Sequence, residues 1–212
     1  MAEQPTIVVR GEVQREVPPD QAEIGVTIRA RDRDRESVLA RLTERAAEVR
    51  AVVDDFSVER RETGHMRIYP ELKRGGERVV AYTGSMFTTV VVTDFDRLGD
   101  LLMRLARLDL ATVAGPWWQL RPGSPAEAEV RKEAVREALR RAAEYAEAVG
   151  ARVDRLIEIA DEATAPAFGM PGFAVAGGAR STEASIEVDP ELQTVRASVI
   201  VRVAITEPTL PG

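Results

Sequence analysis

The sequence predicts an α+β protein, a largely antiparallel sheet built from hairpins with three helices packed on it, in the order ββαββαβαβββ. Three observations carry this. Val195, Ala197, Val199, Val201, Val203 and Ile205 occupy every second place, the period of a long strand with one face on a core. Ala134, Ala138, Ala142 and Ala146 recur every fourth place, a helical face of small side chains that can lie close on a sheet. Elsewhere, single helical stretches separate strand-like stretches joined by polar, Pro- or Gly-bearing turns.

Thr6 to Val17 reads as a strand, with Ile7, Val9 and Val13 on one face and Arg10, Glu12 and Gln14 on the other. Pro18-Pro19-Asp20 makes a turn, because two prolines cannot sit in a ladder. Ala22, Ile24, Val26 and Ile28 then alternate with Glu23, Gly25, Thr27 and Arg29, so a second strand is expected to form a hairpin with the first. The run Arg31-Asp32-Arg33-Asp34-Arg35-Glu36 has no net charge and reads as a solvated connection. A helix follows from Ser37 to Asp54, with Val38, Leu39, Leu42, Ala46, Val49 and Val53 on one stripe.

Gly64 to Glu71 reads as a strand, Lys73 to Arg78 as a hairpin loop, and Val79 to Thr93 as a long strand in which Gly84 suggests a bulge or bend. Asp94 is expected to cap a helix running to Leu108. Ala111 to Leu120 is a strand whose neighbours Trp117 and Trp118 must point to opposite faces, so one indole is expected in the core. Ser124, Pro125 and Glu127 have the spacing of a helix start with a capping box, and Gly150 sits where a left-handed cap is wanted. Arg152 to Ala160 is the next strand, Thr182 to Val188 a short one, and the C-terminal strand follows the turn at Asp189-Pro190. Thr164 to Thr182 has no period, and a long Gly-, Pro- and Ala-rich loop that carries Phe168, Met170, Phe173 and Val175 is expected there.

Composition narrows the function classes. The 212 residues are expected to form one domain, 1–212, with its core at about 6–206. The net charge of -6 draws the chain to no nucleic acid. No Cys is present, which excludes disulfides, thiolate nucleophiles and Cys-based metal sites, and one His leaves zinc without ligands. Neither a leader-like start nor an apolar run of the ~20 residues a membrane helix needs is seen, so a cytoplasmic protein off the membrane is expected.

Chemistry-bearing motifs are absent as well. His65 has no placed nucleophile or orienting acid, and Thr83-Gly84-Ser85-Met86 is no nucleophile elbow. Gly75-Gly76 and Gly169 to Gly178 lack the residues and setting of a phosphate loop. No catalytic, cofactor or metal residue is therefore assigned, and no enzyme is expected. The residues singled out are contacts: Phe168, Met170, Phe173 and Val175 of the loop, with Trp118, as an apolar patch that a second copy would cover.

With the elements in place, the chain resembles the SIMPL domain family, YggE-like proteins of unknown function. The resemblance is carried by Gly11 and Val17-Pro18-Pro19-Asp20-Gln21-Ala22, by Ile68-Tyr69-Pro70 and Ala81-Tyr82-Thr83-Gly84-Ser85, by the Ala-rich helix ending at Gly150-Ala151, and by Val195 to Ile205. It implies an α+β fold, self-association and a stress-related role, with no established catalytic residues to place here. Two functions are thus expected from the sequence. The first is a non-enzymatic self-associating scaffold joined through sheet edges and the apolar loop. The alternative is a small-molecule module with a pocket between the Ala-rich helix, the 164–182 loop and the sheet.

Overall fold

The chain's first strand pairs with its last, and not with the strand that follows it. The computed structural model describes residues 4–73, 75–162 and 186–209. In chain order these form β1 (Thr6–Val17), β2 (Gln21–Asp32), α1 (Arg35–Asp54), β3 (Arg60–Leu72), β4 (Val79–Val92), α2 (Leu98–Ala106), β5 (Ala111–Gln119), α3 (Pro125–Ala148), β6 (Val153–Asp161) and β7 (Gln193–Ile205). The fold is α+β, and its strands divide between two antiparallel sheets, β1-β7-β6 and β3-β4-β2-β5. The described residues fall into two compact units, one holding 4–18, 121–162 and 192–209, the other 19–120 and 186–191.

In the first unit β1 and β7 pair without a break from Thr6 opposite Ala204 to Val17 opposite Gln193. The expected β1–β2 hairpin is thereby corrected. Alternation tells which face of β1 is buried and not which strand lies beside it, and the Pro18-Pro19 turn releases β2 into the other sheet. Helix α3 covers β1 and β7 with its alanine face: Ala134, Ala138, Ala142 and Ala146 are fully buried. Its contact with β1 is closer than ordinary side chains permit. A Cβ on Gly11 would stand 2.1 Å from the Ala134 carbonyl oxygen and 2.8 Å from the Ala138 Cβ.

Both ends of α3 follow from local chemistry. The Ser124 hydroxyl accepts from the Ala126 N–H at 3.3 Å, and Pro125 takes the first helical place. The capping box does not close, because Glu127 pairs forward with Arg131. At the other end Gly150 has φ +67°, its N–H bonds to the Glu147 carbonyl and that of Ala151 to the Ala146 carbonyl, a Schellman ending.

In the second unit α1 and α2 lie on one face of the four-stranded sheet, over Ala22, Ile24, Val26 and Ile28 of β2 and Val90 and Val92 of β4. Helix α1 starts at Arg35, inside the charge run: the Asp34 carboxylate accepts from the Ser37 N–H at 2.8 Å. Arg31 and Asp32 still belong to β2, so the expected connection shrinks to Arg33 and Asp34.

Helix α2 starts at Leu98, later than expected, because Asp94 accepts from the Asp96 N–H and opens a turn instead of capping. Gly84 makes no bulge. It sits in unbroken register opposite Ala30 and Ile68, and a Cβ there would meet Val38 Cγ1 at 2.7 Å and Leu42 Cδ1 at 2.8 Å, so its role is to admit α1. The expected strand from 182 to 188 lies mostly outside the described residues, and Ile186 to Val188 at its end carries no strand.

Candidate functional site

The polar clusters read as structure. Among the described residues no group of His, Asp and Glu is placed to hold a metal ion. His65 stacks on Phe87, ring centroids 5.6 Å apart, with no hydrogen bond to a carboxylate among the described residues. Ser198 is buried, but its hydroxyl is already used: it donates to Glu162 at 2.7 Å and accepts from Arg10 at 2.8 Å, while Arg10 pairs with Glu162 at 3.1 Å. Arg10 pairs with the carboxylate that Ser198 meets, so the three groups satisfy one another and the trio reads as structural.

Arg31, Glu71 and Thr83 form a second satisfied cluster. The Arg31 guanidinium grips both Glu71 oxygens at 2.7 to 3.0 Å and the Thr83 hydroxyl donates to the same carboxylate. The Arg31 hydrogen bonds above all, then that from Thr83, hold the Glu71 pKa down at about 2. The cluster ties β2, β3 and β4 together.

The contact residues named from the sequence divide. Phe168, Met170, Phe173 and Val175 lie outside the described residues. Trp118 is half-buried on the core side of its sheet, edge-on to Phe95 with centroids 4.9 Å apart. Trp117, opposite Glu23, takes the other face beside Gly25 and Phe87. A bulge decides which indole goes inward. The β2–β5 register shifts between Glu23 and Gly25, so β5 carries one extra residue around Gly115 and Pro116. Counting in twos from Val113 without that residue would have sent Trp117 to the core.

A contact surface that the sequence reading missed is β6. It is the outer strand of its sheet, and its far edge has no partner strand among the described residues. Val153, Leu156, Ile157 and Ile159 are 36%, 48%, 45% and 47% exposed. Leu156 pairs opposite Val203 and Ile159 opposite Val201, so both lie on the face that α3 covers over the neighbouring strands. Helix α3 touches β6 only slightly, and among the described residues that face is left about half exposed. The signal in the sequence was Leu156-Ile157, two adjacent large aliphatics on a strand otherwise spaced by charges. In the other sheet β3 repeats the situation, with Met66, Tyr69 and Leu72 about half exposed on an outer strand.

At Gly11 the strand β1 lies against the backbone of α3, and the 164–182 loop of the expected pocket lies outside the described residues. A cleft of about 310 Å³ lies instead beside α1, walled by Thr43, Ala46, Ala47 and Arg50 and floored by Arg61 and Thr63 of β3 and Met86 and Thr88 of β4. Among the described residues, α1 packs on β2 and β4 and leaves the outer strand β3 uncovered.

Comparison with known proteins adds a family. The family model for SIMPL, a protein of unknown function (DUF541), matches residues 7–203, across both units. No curated protein matches the sequence. Among solved structures the chain is similar to the crystal structure of a hydantoinase/carbamoylase family amidase from Burkholderia ambifaria, at 12% identity and a TM-score of 0.33, over 57% of this chain and 34% of that one. The chain spans about a third of that amidase, and so slight a likeness carries no argument about activity.

Proposed function

The chain belongs to the SIMPL family, and from that premise we propose that it is a non-enzymatic scaffold whose copies join along open sheet edges. The observation that carries the reading is β6, an outer strand with four aliphatic side chains in water and a free edge of backbone donors and acceptors among the described residues. Each of those side chains withdrawn from water would contribute about 1 kcal/mol, since full burial is worth about 1.5–3 kcal/mol and these are already half covered. An added strand would satisfy the edge amides and carbonyls at the same time. The stress-related role that the resemblance implies belongs to the same proposal.

Light scattering after size exclusion tests it. The wild-type chain at micromolar concentration is expected to run as a multimer, and the double variant Leu156→Lys/Ile159→Lys as a monomer with an unchanged circular dichroism spectrum. A wild-type chain that is strictly monomeric overturns the reading.

A further inference from the structure

We propose that the cleft between α1 and the β3–β4 ladder binds a small organic anion, an acidic head group on a short apolar tail. Arg50 and Arg61 bring two guanidinium groups to the cleft, and no Asp or Glu is among its walls. Asp54 offsets Arg61, so Arg50 supplies the cleft's unbalanced positive charge, a local reversal of sign in a chain of net charge -6 that favours anions there.

Arg61 is held in place by Asp54 at 2.5 Å, while Arg50 makes no ion pair or hydrogen bond within the described residues. The floor adds two hydroxyls, Thr63 and Thr88, which face each other across the ladder with no side-chain hydrogen bond of their own among the described residues. One free guanidinium and two free hydroxyls are a donor set for a carboxylate or phosphate. Ala46, Ala47 and Met86 supply the apolar remainder. At about 310 Å³ the space is at the small end of ligand pockets, which sets the tail at a few carbons.

The probes are hexanoate, hexyl phosphate and neutral hexanol, each titrated onto the full chain and read by saturation-transfer NMR, which observes the ligand and tolerates large assemblies. At least one of the two anions is expected to saturate with a Kd of about 1 mM or tighter, and hexanol is not. The tighter of the two identifies the head group. Arg50→Gln and Thr88→Val are each expected to weaken the preferred anion about tenfold. Arg50 is exposed and Thr88 keeps its shape as valine, so an unchanged melting temperature shows that both remain folded.

Equal binding of hexanol, no saturation by either anion, or undiminished affinity in Arg50→Gln overturns the proposal. Leu156→Lys/Ile159→Lys should bind the anion as wild type does. Failure here leaves the assembly reading standing, and a monomeric wild-type chain leaves this one standing.

Discussion

Gly11 and Gly84 share a residue type and a purpose, the close seating of a helix, yet they differ in what an added methyl would strike. At Gly11 the obstacle is the backbone of α3, 2.1 Å from the Ala134 carbonyl oxygen, and backbone cannot step aside. At Gly84 it is the ends of the Val38 and Leu42 side chains. Gly11→Ala is therefore expected to cost about 3 kcal/mol, the upper end of overpacking, and Gly84→Ala about 1 kcal/mol. Urea unfolding midpoints of the two variants check the order, and a Gly11→Ala protein as stable as Gly84→Ala would contradict the contact.

Glu71 gives a pH prediction. Its carboxylate ionises at about 2 in the fold against 4.5 unperturbed, so the unfolded chain takes up the proton first as pH falls. The stabilisation is complete above about pH 4.5 and is lost progressively down to about pH 2. Glu71→Gln is expected to flatten the melting temperature across that window. The pair is open to solvent, so salt should shrink the difference.

Elements, unlike single residues, are decided by their ends and their neighbours. The Ala-rich helix was legible at both ends because Ser124 and Gly150 act on their own backbone within a few residues, whatever the tertiary fold. Removing that local bond in Ser124→Ala should cost about 1 kcal/mol, measured as a shift in thermal unfolding. Helix α2 was misread at its start because Asp94 has two local options, capping or turn, and packing of Leu98, Leu101 and Leu105 on the sheet selects the later start. Trp117 and Trp118 show the same limit. Alternation predicts that they part, and one extra residue near Gly115 chooses which goes inward. The contact strand β6 was read as a strand but not as a surface, since exposure depends on where α3 ends its cover.

For the molecule as a whole, the open edges define what remains to be covered. Amides on the unpaired side of β6 are expected to exchange with solvent quickly in dilute protein and to gain protection as concentration rises, while β7, paired on both sides, stays protected throughout. Hydrogen exchange followed by mass spectrometry at two concentrations reads this directly. Protection of β6 that does not respond to concentration would argue against assembly through that edge. Among the described residues no helix is long and apolar enough to cross a membrane.

What the sequence by itself determined was the type and buried face of the strongly periodic segments: the alternation of β7, the alanine stripe of α3, the α1 stripe that buries Val38, Leu42, Val49 and Val53. These depend on periods of two and 3.6 residues, which any short stretch carries within itself. Only the tertiary structure decided that β1 joins β7, that the strands part into two sheets, and that β6 and the cleft beside α1 are left uncovered. Those are choices among distant partners of equal local pattern, settled by which faces pack together and by where each covering helix runs out.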